Sequence, residues 1–120
     1  MTSDLKKRST IVKSPDTAEL VAAGATKYDA GKSPLFRGVI DYFPNALKLV
    51  GEVSAFGANK YAWGGWRNVP DGVNRYTDGL LRHIAEESIN KDNPVDDESG
   101  FHHAAHAAWN ALARLELMLK

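Results

Sequence analysis

Asp97-Glu98-Ser99-Gly100-Phe101-His102-His103-Ala104-Ala105-His106-Ala107-Ala108-Trp109-Asn110 carries three of the four histidines of the chain. Ser99 can cap a helix there, with Asp97 and Glu98 complementing its dipole, and the alanine- and leucine-rich run beyond predicts one long helix to Lys120. On that helix His103, His106 and Asn110 are spaced three and four apart and share one face, with His102 on its flank. The rest of its surface as far as Leu112 is almost all Ala, Leu, Trp and Met, the composition of a buried element. Buried imidazoles and a buried amide need partners, either hydrogen bonds within a core or a metal and its substrate.

Working outward, Asn90 to Glu98 is a short acidic turn, which makes the helices on its two sides antiparallel neighbours. The preceding helix opens at Asp71 or Gly72 and runs to about Ile89, with Val73, Tyr76, Leu80, Leu81 and Ile84 as its apolar face. His83 and Glu87 fall within that face, whereas Arg75, Asp78, Arg82 and Glu86 share the opposite one. Counted back from a turn centred near Val95, Glu87 lies level with His103, and His83 lies level with His106 and Asn110. A core-facing carboxylate is costly unless paired or metal-bound, so His83, Glu87, His103 and His106 form the candidate catalytic and metal-binding group. Mixed imidazole and carboxylate donors suit Mn, Fe, Co, Ni or Zn, whereas Mg is better served by more carboxylates. A hydrogen-bonded histidine core, with the helix fraying before Glu87, is the alternative reading of the same pattern.

Further towards the N-terminus, Pro44 suits a helix first turn, and Ala46, Leu49, Val50, Val53, Phe56, Gly57 and Lys60 make a helical stripe as far as Tyr61. Glu52 lies off that stripe, four residues after Lys48, as either a surface ion pair or a carboxylate ligand. The connection Tyr61 to Pro70 holds Trp63 and Trp66 among glycines, which can form an aromatic slot for a base or cap the end of the core. Lys27-Tyr28-Asp29-Ala30-Gly31-Lys32 reads as a turn in which Gly31 takes a positive φ and two lysines can hold a polyphosphate. Thr17 can cap a short helix, Ala18 to Gly24. Residues 1–16 read as a mobile basic arm, and 17–120 as a single all-α domain of about four helices.

Fifteen basic and fifteen acidic side chains give a formal net charge of zero, which points away from nucleic acid and membrane surfaces as partners. No cysteine is present, which excludes disulfides and thiolate ligands and fits a reducing cytoplasm.

The motifs also carry a resemblance. Lys27 to Lys32, Phe56-Gly57-Ala58-Asn59-Lys60-Tyr61, Trp66-Arg67, Arg75-Tyr76-Thr77-Asp78, Arg82-His83, and Glu98-Ser99-Gly100 through His103 and His106 to Asn110 resemble the phage dATP/dGTP diphosphohydrolases. That family includes a MazZ type and is similar to the all-α MazG-like pyrophosphohydrolases. The resemblance implies a MazG-like antiparallel helical bundle, a homo-oligomer (dimer or tetramer), and Mn or Mg as cofactor. It also implies hydrolysis of a purine nucleoside triphosphate, chiefly dGTP but also GTP or dATP, to the monophosphate and pyrophosphate. The dGMP released would serve 2-aminoadenine nucleotide synthesis. In that reading Lys27, Lys32, Lys60, Arg75 and Arg82 bind phosphates, Trp63 and Trp66 stack on the base, and Asn110 adds a polar contact. Glu52, Asp78 and Glu98 join the four central residues as metal-ligand candidates. MazG-like enzymes use a Glu-Glu-x-x-Glu helix and a Glu-x-x-Asp helix, and neither pattern occurs here, so imidazoles stand where those enzymes place carboxylates. Two rival functions remain: a non-catalytic helical nucleotide-sensing or interaction module, and a His-Asp-type triphosphohydrolase, although no adjacent His-Asp pair is present.

Overall fold

Among the described residues three α-helices carry the fold, and the last of them lies between the other two. The computed structural model describes residues 27–120, so the arm and the short helix expected before Gly24 lie outside the described residues. The chain divides into two units, of which residues 27–43 are the described part of the first and Pro44–Lys120 form the second. In the first, Lys32 N–H donates to the Asp29 carbonyl at 3.1 Å and Gly31 has φ 81°, the turn expected there. A π-helical turn follows at Phe36–Ile40, which the sequence pattern did not signal.

The second unit holds α1 (Pro44–Lys60), a 3₁₀ turn (Gly65–Asn68), α2 (Gly72–Ile89) and α3 (His103–Met118). Among the described residues regular structure is entirely helical, apart from one antiparallel bridge between Val95 and His102. No described helix is long and apolar enough to cross a membrane. α1 buries Val53 and α3 buries His103, Ala105, His106, Ala107 and Ala113. Small α3 side chains let the neighbouring helices approach closely. The approach is tightest at the buried Gly79 of α2, where a Cβ would stand 2.6 Å from Asn110 Oδ1.

Two expectations change here. Ser99 does not cap α3; the helix begins at His103, with the His102 carbonyl taking the first amides, from Ala105 at 3.0 Å and His106 at 3.3 Å. The cause is the loop: Gly100, with φ 78°, reverses the chain, the Val95–His102 bridge closes it, and Ser99 is drawn to Asp96 and His106 instead. The helix also stops at Met118, short of Lys120. Secondly, Leu81 and Ile84, read as apolar-face residues of α2, are 57% and 47% exposed. They point away from α3 because the contact surface is centred on Tyr76, Gly79 and His83, roughly 100° round the helix from Ile84.

Candidate active site

Four side chains from three segments meet at one point: His83 and Glu86 of α2, Asp96 of the acidic loop, and His103 opening α3. Each offers one ligand atom, and these atoms all lie within 4.8 Å of one another. Two ligands on opposite sides of one ion stand about 4 Å apart at bond lengths of about 2.0–2.2 Å, so small side-chain rotations bring this set to coordination distance. His83 Nδ1 lies 2.9 Å from His103 Nδ1, and Glu86 Oε2 lies 3.5 Å from the same His103 nitrogen. Two imidazoles and two carboxylates are a donor set for a divalent transition ion.

Glu86, not Glu87, supplies the α2 carboxylate of this set. On a helix the two stand about 60° and 40° to either side of His83, and the acidic loop lies on the Glu86 side. The face carrying Arg75, Asp78, Arg82 and Glu86, expected to look into solvent, thus borders the site. Asp96 was not singled out in the sequence, where it is one of several acids in a turn. Its signal was the spacing to Ser99: the Ser99 amide donates to Asp96 Oδ2 at 2.8 Å, and the Asp96 carbonyl accepts from Gly100 N–H, also at 2.8 Å. The loop therefore folds around this carboxylate.

His106 stands beside the four. Its ring stacks on His83 with centroids 4.6 Å apart and an 11° interplanar angle, its Nε2 lies 2.6 Å from Ser99 Oγ, and Asp96 Oδ2 is 3.7 Å away. Phe56 of α1 meets His106 and Phe101 edge-on, so α1 fixes the back of the ring. Burial, reinforced by the neighbouring histidines, depresses the pKa of His83; burial is also the main cause for His106, with Asp96 opposing it. Neutral imidazoles, the form that ligates a metal, are thereby favoured. Burial pushes the Asp96 carboxyl up, but the Ser99 hydrogen bonds and the two histidines outweigh it and hold it below its usual value.

From His83 and Asp96 a cavity of about 770 Å³ extends along α2 past Arg82, Gly79, Asp78 and Arg75 to Trp63 and Trp66. Lys60, Glu98, His106 and Asn110 also line it, and Lys60 is ion-paired with Glu98 across its side. Arg75, Asp78 and Arg82 are exposed there, and the anticipated Asp78–Arg82 and Lys48–Glu52 pairs are absent among the described ion pairs. Asn110 donates through Nδ2 to the His106 carbonyl at 2.8 Å. Glu52, exposed on α1, and Glu87, half-buried on α2, do not line the cavity, and His102 is exposed at the start of α3. Lys27 and Lys32 are exposed residues of the first unit.

A profile described as "dATP/dGTP diphosphohydrolase, N-terminal" matches residues 22–120. The chain belongs to this dATP/dGTP diphosphohydrolase N-terminal family. Over 82 residues it is 42% identical to a protein of Salmonella phage PMBT28 named dATP/dGTP diphosphohydrolase. That match takes in 68% of this chain and 26% of the relative, so the chain spans about a quarter of the relative's length. No solved structure matches. Within the family match lie both the four-donor cluster and the whole cavity.

Proposed function

We propose that this domain hydrolyses a purine deoxynucleoside triphosphate to the monophosphate and pyrophosphate, using a divalent ion, Mn or Mg, held by His83, Glu86, Asp96 and His103. The observation that carries the reading is the convergence of these four donors, of which His83 and Asp96 line a cavity that also holds cations and aromatics, in a chain of a diphosphohydrolase family. The ion would supply charge neutralisation and acidify the attacking water. Phosphoryl transfer asks little covalent chemistry of the protein, so positioning and positive charge decide the rate. Arg82 would hold the phosphates nearest the histidines, and Arg75 and Lys60 those towards the aromatic end, with Asp78 and Glu98 as additional acidic donors. His106 braces His83, and Asn110, which lines the cavity, is a further substrate-binding candidate. Glu52 and Glu87 are weaker metal candidates because they lie off the cavity.

The length of the site supports the substrate class. Arg75 and His83 are eight residues apart on one helix, a span of about 12 Å at the α-helical rise, enough to take a triphosphate with its sugar and base extending towards the tryptophans. The proposal extends to a MazG-like bundle and a homo-oligomer. Antiparallel packing about α3 supports the first, and the exposed apolar side chains Leu112 and Leu115 of α3, with Leu119 just beyond its end, support the second. In a phage that makes 2-aminoadenine nucleotides, the dGMP released would enter that synthesis.

Purified protein incubated with dGTP, dATP or GTP and Mn or Mg is expected to release pyrophosphate and the monophosphate, resolved by ion-exchange chromatography. His83→Ala and His103→Ala should cost more than the about 10–100-fold typical of changes outside the ligand shell. Nucleoside plus triphosphate as products, or full activity in both variants, would sink the reading.

A further inference from the structure

The two tryptophans at the far end of the cavity are in different situations. Trp66 is half-buried, its ring edge-on to Tyr76 (5.8 Å to Trp109, 6.2 Å to Tyr76, by centroids), and the Arg67 guanidinium lies 5.5 Å from it. Tyr76 also meets Trp109 edge-on at 5.7 Å, and its hydroxyl donates to the Trp66 carbonyl at 2.8 Å. This three-ring packing ties the 3₁₀ turn to α2 and α3, so Trp66 is engaged in holding the fold together, although it borders the cavity.

Trp63 is 77% exposed and has no aromatic ring packed on it among the described residues. It occupies the second position of the turn Ala62 to Gly65, closed by Gly65 N–H donating to the Ala62 carbonyl at 3.3 Å. Gly64 in the third position has φ 77° and ψ −4°, the conformation that a type II turn demands there and that glycine adopts without strain. The turn therefore projects the Trp63 ring at the mouth of the cavity. Tyr61, also 77% exposed, lines the same mouth, and Lys60 Nζ lies 5.4 Å from the centre of its ring.

We propose that Trp63 and Tyr61, with Trp66 excluded, form the base-stacking platform of this site, set on the Ala62–Gly65 turn and beside the Lys60 ammonium. The assignment rests on the nucleotide reading above. Exposed aromatic faces beside a cation suit a planar base followed by phosphates, because stacking uses the ring face and the cation takes the adjoining negative charge. A platform of this kind reads ring area and leaves the hydrogen-bonding edge of the base unread. It therefore favours purines over pyrimidines and treats adenine and guanine alike.

The test is equilibrium binding in the presence of Mn, by calorimetry, of α,β-imido analogues of dGTP, dATP and dCTP and of inorganic tripolyphosphate, which lacks a base. Trp63→Ala should weaken both purine analogues by roughly tenfold or more, while tripolyphosphate binding stays within about twofold. Tyr61→Ala should act in the same direction. Gly64→Ala, whose Cβ would meet nothing within 4 Å, should reproduce part of the loss through the backbone alone. Parent protein that binds neither the nucleotides nor tripolyphosphate overturns the nucleotide reading and the platform with it. Parent protein that binds the purine analogues with an affinity Trp63→Ala retains overturns the platform alone, as does an equal loss of tripolyphosphate. A fall in molecular mass of Trp63→Ala by light scattering would also overturn it, by making the exposed ring a subunit contact.

Discussion

Ser99 shows how much of a site can depend on a residue that touches no substrate. Its amide closes the turn on Asp96, its Oγ accepts from Phe101 N–H at 3.1 Å, and the same oxygen lies 2.6 Å from His106 Nε2. His106 in turn stacks on His83, so the Ser99 amide orients one proposed ligand, Asp96, while its hydroxyl steadies the ring behind another. Partners at one remove from a metal typically alter its affinity by about 10–100-fold when lost. Ser99→Ala should therefore weaken Mn binding by about tenfold or more, read from the free-ion signal in electron paramagnetic resonance, while Ser99→Thr, which keeps the hydroxyl, should restore most of it. Parent-like Mn affinity in Ser99→Ala would show that the loop holds Asp96 and His106 without the hydroxyl.

At the scale of the helices, the close contact of α2 with α3 is set at Gly79. Alanine there gains up to about 1 kcal/mol in helix propensity but overlaps Asn110 Oδ1, held in place by its Nδ2 bond to the His106 carbonyl. Overpacking of this kind costs about 1–3 kcal/mol, so Gly79→Ala should lower the melting temperature, and adding Asn110→Ala should return most of the loss. Additive destabilisation of the two changes would show that they do not share this contact. The sequence made these helices legible because their apolar periodicity is strong: the observed bounds Pro44–Lys60 and Gly72–Ile89 match the expected ones within a residue. It also set His83 level with His106, the two rings that stack 4.6 Å apart, since a short connection leaves little choice of register. The carboxylates were less legible. Choosing Glu86 over Glu87 needs the rotation of α2 about its axis, which depends on where the acidic loop packs. Asp96 became distinguishable from Asp97 only once Gly100 turned the chain back towards the Val95–His102 bridge. Likewise, the separation of Trp63 from Trp66 depends on Tyr76 and Trp109, which stand 13 and 46 residues beyond Trp63 in the sequence.

For the molecule as a whole, the clustered histidines link stability to both pH and metal. His83 and His106 have folded-state pKa values below the ordinary 6.5, so as the pH falls below about 6.5 the unfolded chain takes up their protons before the folded one does. Their contribution to stability is thus complete above that value and is lost as pH falls through the folded values. Asp96 is also depressed, from 3.8, so its contribution persists to lower pH and is lost only as pH falls through its folded value, below 3.8. Acid unfolding should therefore proceed in two windows, the first assigned to the histidines. A divalent ion that binds the folded site adds stability by mass action, about 2.7 kcal/mol when present at a hundred times its dissociation constant. Because the ion requires neutral imidazoles and competes with protons, that increment should be largest at neutral pH and shrink through the histidine window. Thermal unfolding from pH 8 to pH 4, with and without Mn, measures both effects at once. A Mn-induced rise in melting temperature that did not diminish between pH 7 and pH 5 would mean that the ion is held without the histidines. Loss of the rise in His103→Ala at pH 7 would tie it to this cluster.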